Sequence, residues 1–517
     1  MKRHFTRWPM VEGYTARQSY VGGESVEVHC SSRVSTFSVE VARVGRDRVV
    51  VWRQAAIRGR EQPFPDDAFA KGCGWPVTFS IPVDRAWPSG FYEIAFTADG
   101  EQGEASASQA FFVVRATRKS TAPAILVLAS NTYNAYNQWG GACLYSGAVK
   151  VSFHRPYERG YLRRPAAPND TDYDGRVASV GPELDIENIR LQRYLEQYDY
   201  PLWCASGGWH NWERRFVRWA ESNGIALDYA VNADLEFHDD VLDDHRLMLS
   251  VGHDEYWSWA MRDRVDDFVE SGGSWAIFSG NTCFWQVRYE DNGATMVCFK
   301  GRAQQEDPVA GTDRHQRLST MWSMPSIGRP EALSIGLSFT RGGYSKVGKA
   351  TPRSTGGYVV HRPDHALLRG TDLRYGDQFG TAASIVGYEV DGCELKMVNG
   401  DPVPTGSDGT PANLEVIATA PARLISITAT ECEAPVELWA SVEPPGDLQG
   451  ITYVLYGDAS PENVARLAHG HAVMGTFPKG KGRVFHAGTA DWAQGLDRDP
   501  TVQTITRNVI EQLGGIS

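Results

Sequence analysis

At 517 residues, with 42% hydrophobic and 22% charged side chains, the chain is too long for a single hydrophobic core and has the composition of a globular protein of two or three domains. Its formal charge of −12 argues against a nucleic-acid backbone or an anionic membrane as the main partner. There is no run of eighteen or more apolar residues, and the basic start Met1-Lys2-Arg3-His4 lacks the apolar core of a signal peptide, so a cytoplasmic location is expected.

Residues 15–115 read as short β runs separated by turns. Ser25–Cys30, Phe37–Val41 and Phe91–Phe96 alternate in the period of a half-buried strand, and Pro88-Ser89-Gly90 supplies a turn before the last. This spacing predicts an all-β domain over 1–117, a sandwich of immunoglobulin-like type. The polar stretch Ala116–Thr121 then reads as a linker.

Beyond it the pattern changes. Ala124–Ala129 is a continuous apolar run, as a strand buried on both faces requires. Ile189–Leu195 and Trp212–Ala220 have helical spacing, with Trp212, Phe216 and Trp219 on one face. Strands are expected at Asp228–Val231, Leu247–Val251, Trp275–Phe278 and Arg483–Ala487. Helices are expected over Ser258–Gly272 and along Val502, Ile505, Val509 and Leu513. Alternating strands and helices imply an α/β domain over 118–517 with a doubly wound, mostly parallel sheet, interrupted by an irregular β-rich insertion at 301–450.

Four of these strands run into chemically loaded loops. They are Asn131-Thr132-Tyr133-Asn134-Ala135-Tyr136 with Gly140-Gly141 and Leu144-Tyr145, Gly252-His253-Asp254-Glu255-Tyr256-Trp257, Ser279-Gly280-Asn281-Thr282, and Ala487-Gly488-Thr489-Ala490-Asp491-Trp492. In a parallel sheet such loops share one edge, where ligands bind. The 16 Trp and 21 Tyr, many beside Gly and Asn, point to an aromatic-lined cleft. Few His and Cys ligands are at hand, so a metal here needs oxygen donors. Carboxylate and phenolate together favour a hard, highly charged cation, iron(III) above all.

The eight cysteines, Cys30, Cys73, Cys143, Cys204, Cys283, Cys298, Cys393 and Cys432, are scattered without zinc-knuckle spacing and read as reduced core residues. Cys283, just after a strand, is the one candidate for a nucleophilic thiol.

Asn-Thr-Tyr-x-Ala-Tyr at 131–136, Gly140-Gly141 with Leu144-Tyr145, Gly-His-x-Glu-Tyr-Trp at 252–257 and Gly387-Tyr388-Glu389 resemble the large subunit of N,N-dimethylformamidase, over residues 121–510. The resemblance implies an amide hydrolase whose mononuclear non-haem iron is held by two tyrosines and a carboxylate. On this sequence those are Tyr136, Tyr145 and Glu255, with Tyr133 and Tyr173 as the alternative tyrosines. It makes His253 the catalytic histidine and Asn281 and Glu389 further catalytic residues, on a sheet similar to glutamine-amidotransferase-like folds. A small-molecule amide is the implied substrate.

The sequence also departs from that pattern. It is shorter than the family's large subunit, lacks an additional β-sandwich before the α/β region, and is compressed between Tyr136 and Tyr145. A small partner subunit, a homo-oligomeric assembly and the fit of so small a substrate stay open. In the implied chemistry His253 or Glu389 takes a proton from water and returns it to the leaving amine. Asn281 donates to the oxyanion, and Trp139, Trp257 and Trp285 wall off water. Two other functions are compatible with the residues: a metal-free carbohydrate- or peptide-binding protein, and a hydrolase dependent on Cys283.

Overall fold

The computed structural model describes residues 9–63, 65–99, 107–116, 120–164, 200–346, 352, 354–426 and 446–515. The helix expected at Ile189–Leu195, the alternative ligand Tyr173 and Cys432 lie outside these residues. The described chain is mostly β-sheet, in several sheets, with fewer helices. It forms two compact units. One comprises the described residues as far as Asp244 together with Tyr289–Val297. The other comprises His245–Arg288 and the described residues from Cys298 onward. Among the described residues no helix is long and apolar enough to cross a membrane.

In the first unit β1 (Val11–Thr15), β2 (Ser19–Tyr20), β3 (Ser25–Ser32), β4 (Thr36–Val44), β5 (Arg48–Arg58), β6 (Val77–Pro82), β7 (Gly90–Ala98) and β8 (Ala107–Val114) form two sheets, ordered β1-β3-β6 and β2-β8-β7-β4-β5. Alternation along β3 buries Val26, Val28 and Cys30 and leaves Ser25 and Glu27 exposed. Those three meet Phe37, Val41, Tyr92, Ile94 and Phe112 of the other sheet in one shared core. After this layered pair come β9 (Ala124–Leu128), α1 (Ser130–Tyr136), α2 (Glu213–Ser222) and β10 (Leu227–Val231), with β9 and β10 parallel. Every residue of β9 is buried, and α2 buries Phe216 and Trp219. The segment expected as a loop after β9 is therefore a short helix.

The second unit contains β11 (Leu247–His253), β12 (Tyr256–Ser258), α3 (Trp259–Ser271), β13 (Ser274–Gly280), β14 (Ser338–Tyr344), β15 (Tyr358–Val360), β16 (Gln378–Phe379), β17 (Glu389–Gly392), β18 (Glu415–Ala422), α4 (Asp447–Tyr456), β19 (Gly470–Lys479), β20 (Gly482–His486) and α5 (Pro500–Gly514). β11, β13 and β20 are adjacent and parallel. The sheet continues through β19, β18, β15 and β16, each antiparallel to its neighbour. The sheet is thus mixed. Strands from within 301–450 extend it, and the tight turn at Gly480 folds β19 back on β20.

The helices start and stop where local chemistry directs. Ser258 caps α3 by accepting from Met261 N–H at 3.1 Å, and Gly272 ends it at φ 125°. Asp499 caps α5 through Thr501 and Val502 N–H, with Pro500 opening the helix. Both helices pack on the parallel strands.

β11 and β13 are buried throughout and end level, His253 opposite Gly280. Across these ends runs β17, paired with β14 and bridged at Val390 to Thr489. The crossing is close because residue 280 has no side chain. A Cβ there would stand 2.3 Å from Glu389 O and 2.4 Å from Ala490 N, both backbone atoms. Gly280→Ala is therefore expected to cost roughly 1–3 kcal/mol or more, read as a lowered urea midpoint. An unchanged midpoint would show that the backbones do not pass this closely.

Candidate active site

Within the second unit, the parallel strands deliver their polar residues to one edge. β11 ends in Gly252, at φ 83°, and His253. The next two residues are pinned by their carbonyls: Cys283 N–H donates to Asp254 O and Trp285 N–H to Glu255 O, both at 2.9 Å. This fixes the backbone that carries Glu255 before the short strand β12 begins. β13 ends at Gly280, and Asn281 turns the chain at φ 50°, a conformation that asparagine tolerates better than most residues. β17 supplies Glu389.

These four side chains meet. His253 Nε2 is 2.6 Å from Glu389 Oε2 and 3.3 Å from Glu255 Oε2. Asn281 Nδ2 donates to Glu389 Oε2 at 2.9 Å and lies 3.5 Å from His253 Nε2. All four are at most 3% exposed, so the charges are largely out of water. An imidazole nitrogen facing two carboxylates must carry a proton, and it donates to the nearer one. Two buried carboxylates thus share one imidazole, an arrangement that is costly unless every oxygen finds a donor or a positive charge.

Toward the surface the group is bordered by partly exposed residues. The Tyr388 ring stands edge-on to His253 at 5.8 Å, and Tyr344 stands edge-on to Tyr388 at 6.1 Å. Tyr344 Oη donates to Asp447 Oδ2 at 3.1 Å. Burial pushes the Asp447 carboxyl up to about 7. The Tyr344 hydrogen bond opposes this, Glu389 and Glu255 add to it, and Lys300 works against it. Lys300 also lies over the faces of Tyr256 and Trp285, at 5.5 and 5.1 Å.

In the first unit, the two tyrosines of the sequence motif come together. Arg155 is buried and donates to the carbonyls of Asn134, Asn137 and Trp139, collecting the open C-terminal end of α1. Leu144 N–H reaches back to Ala135 O at 3.0 Å. Tyr145 thereby stacks on Tyr136, ring centroids 4.2 Å apart, with the phenol oxygens at 2.8 Å. Trp203 stacks on Tyr145 in turn. Tyr133 points elsewhere, donating to Glu213 Oε1 at 2.6 Å. Side by side, the two phenol oxygens are hard donors of the kind that a hard cation would take. Among the described residues no group of three or more His, Cys, Asp and Glu side chains is arranged to hold a metal. The phenols are the additional hard donors at hand.

Several sequence expectations change in detail. Asn281, read as an oxyanion donor, spends one of its two N–H groups on Glu389. Its Oδ1 is the atom left buried without a partner. Trp257 is wholly buried against Trp275, and Trp139 packs with Trp75 in the first unit's core, so of the three tryptophans only Trp285 is partly exposed. Cys283 is fully buried, and burial raises its thiol pKa.

Tyr344, Asp447, Asp391 and His486 were not singled out from sequence. Only Asp391, two residues beyond Glu389 on the same strand face, had a signal that period-two counting finds.

A family model described as N,N-dimethylformamidase beta subunit-like, C-terminal, matches residues 38–506. The N,N-dimethylformamidase beta subunit of Paracoccus aminophilus is 24% identical over 397 residues, which is 67% of this chain and 44% of that one. The beta subunit from an Alcaligenes species is 22% identical over 377 residues, with the same coverage of 67% and 44%. The match thus spans less than half the length of these relatives. Among solved structures, a chain from a study of T cell specificity for toxic shock syndrome toxin-1 covers 20% of this chain at 17% identity and TM-score 0.14. VCBP3 domain 1 from Branchiostoma floridae covers 22% at 14% identity and TM-score 0.15. Scores so low carry no argument. The family match takes in most of the sequence, and the chain belongs to the N,N-dimethylformamidase beta subunit-like family.

Proposed function

We propose that the protein is a hydrolase that cleaves the C–N bond of a small or N-substituted amide, using a mononuclear iron as Lewis acid. The observation that carries this reading is the buried His253 imidazole, held at 2.6 Å by Glu389 beside Glu255 at 3.3 Å. The relatives' names support an amidase. In the same reading, the first unit's paired sheets are immunoglobulin-like. The parallel strands β11, β13 and β20 with α3 and α5 are the core of a doubly wound, glutamine-amidotransferase-like sheet. The relatives are named beta subunits, so a partner subunit belongs to the proposal.

On the family resemblance, Tyr136, Tyr145 and Glu255 are the residues that would hold the iron. Three oxygen donors, two of them phenols, suit a hard trivalent cation. Bound there, it supplies Lewis-acid polarisation of the amide carbonyl and acidification of water. The rest falls to the chain. Glu389 orients His253 through the short Nε2–Oε2 bond and stabilises its protonated form. Asn281 keeps Glu389 in place. The His253–Glu389 pair takes the proton released as water adds to the carbonyl and passes it to the departing nitrogen. Acid and amine leave with atoms and charge balanced.

Catalysis by Cys283 is disfavoured by its burial and raised thiol pKa. Native protein treated with a water-soluble thiol reagent should leave Cys283 unmodified by mass spectrometry. Modification of Cys283 in step with loss of activity would restore the thiol mechanism.

Glu255 and His253 should fail differently. Glu255→Ala removes a hard anionic donor, so iron content and amidase rate on a panel of small amides should fall together. His253→Ala should keep most of the iron while turnover drops by roughly 10²-fold or more. Equal loss of iron in both variants would make His253 a ligand. Full iron and full activity in Glu255→Ala would discard the metal reading.

A further inference from the structure

Beneath the acid–base group lies a second polar pair that the chemistry above does not use. β17 points Glu389 and Asp391 to the same side, two residues apart. Asp391 is fully buried, and so, at 1% exposure, is His486 at the end of β20. The two are tied into a closed ring of contacts. Asp391 N–H donates to Gly488 O at 3.1 Å, Gly488 N–H donates to His486 Nδ1 at 2.8 Å, and His486 Nε2 lies 3.3 Å from Asp391 Oδ2. Because Nδ1 accepts, the ring proton sits on Nε2 and faces the carboxylate. Gly488 can take part because it adopts φ 71°, where a Cβ would lie 2.1 Å from Val473 O.

The same Asp391 Oδ2 accepts the backbone N–H of Thr282 at 3.0 Å. Thr282 follows Asn281 directly and sits between two residues at positive φ, Asn281 at 50° and Cys283 at 57°. A turn of two left-handed non-glycine residues is strained and persists only where its surroundings hold it. Asp391 is the side chain that holds its amide, and the Gly488 bonds set the His486 ring beside it, Nε2 3.3 Å from Asp391 Oδ2 but outside hydrogen-bond geometry.

We propose that Asp391 and His486 form a positioning pair, which sets the Asn281 turn so that the Asn281 amide meets Glu389 and Glu389 meets His253. Neither residue touches substrate in this scheme. The proposal deepens the amidase reading and rests on it for its kinetic arm alone. It predicts a specific pattern of coupling. Displacing a catalytic group by a fraction of an ångström to an ångström lowers turnover steeply, so Asp391→Ala should reduce kcat by roughly 10- to 10²-fold, with KM within a few-fold. Asp391→Asn keeps an acceptor oxygen for Thr282 and should recover most of that loss. Since Asp391 acts through Asn281, adding Asp391→Ala to an Asn281→Ala chain should cost less than about threefold more, where independent effects would multiply.

The test is a double-mutant cycle on the full, iron-loaded chain, together with amide hydrogen exchange of the 279–284 segment. The expected results are non-additive losses, rescue by Asn, and faster Thr282 exchange in Asp391→Ala. Multiplying losses in the double variant, or Thr282 exchange unchanged by Asp391→Ala, would overturn the proposal. Should Asp391→Ala fail to fold, His486→Gln carries the same expectations of coupling and exchange. If the wild-type chain hydrolyses no amide, the amidase reading fails on that result, and the exchange of Thr282 alone decides whether the pair sets the turn.

Discussion

The geometry of the second unit depends on one close passage of backbone over backbone. At the end of β13 the chain leaves no room for even a methyl group, and β17 uses that space to lay its carboxylates over the ends of the parallel strands. Had β17 run a side-chain layer higher, Glu389 would not reach His253, and Asp391 would not reach Thr282 N–H. The passage also answers the difficulty it creates. Burying carboxylates is expensive unless each finds donors. Glu389 takes the His253 ring and the Asn281 amide, and Asp391 takes a backbone N–H and faces the His486 ring. The donors come from the strand ends that β17 crosses, so the crossing and the compensation are one feature.

How much of this was legible in the sequence follows from how local each signal is. The runs Ala124–Ala129 and Leu247–Val251 are continuous and apolar because their strands are covered on both faces, which needs no tertiary knowledge to read. The helix between Ser258 and Gly272 announces itself by its cap and its stop. The stretch 131–136 gave no such warning. Its Asn, Thr and Tyr are poor helix formers, and it folds as α1 because the buried Arg155 gathers the carbonyls at its end. That interaction is eighteen or more residues distant for two of the three carbonyls, beyond any local pattern. The antiparallel half of the sheet was equally hidden. β15 and β16 have only three and two residues, the longer β18 and β19 each contain a proline, and pairing with distant strands gives them their form.

The candidate site shows the same division. The residues at strand ends, His253, Glu255 and Asn281, stand out because polar side chains there interrupt apolar runs. Glu389 sits in a strand where a charged residue usually faces water, and its 3% exposure follows from what β17 packs against. Tyr344 and Asp447 lie 103 residues apart, and nothing in either neighbourhood foretells their hydrogen bond. Burial then gives Asp447 its raised carboxyl pKa, again a property of assembly and not of sequence.

The two polar groups make opposite electrostatic demands, and this bears on what each can bind. The stacked phenols of Tyr136 and Tyr145 share a hydrogen bond between their oxygens. Phenols in water keep their protons until about pH 10, so the pair takes on ligand character only where a cation displaces those protons. The group around His253 begins from the other side. Glu255 and Glu389 share one imidazole in a place that water hardly reaches. Such a group favours a proton held between ring and carboxylate. A proton relieves the second demand while leaving the phenols as they are. The two groups thus differ in kind: the phenols become ligands only by losing protons, whereas the His253 group is a charged network that already holds one.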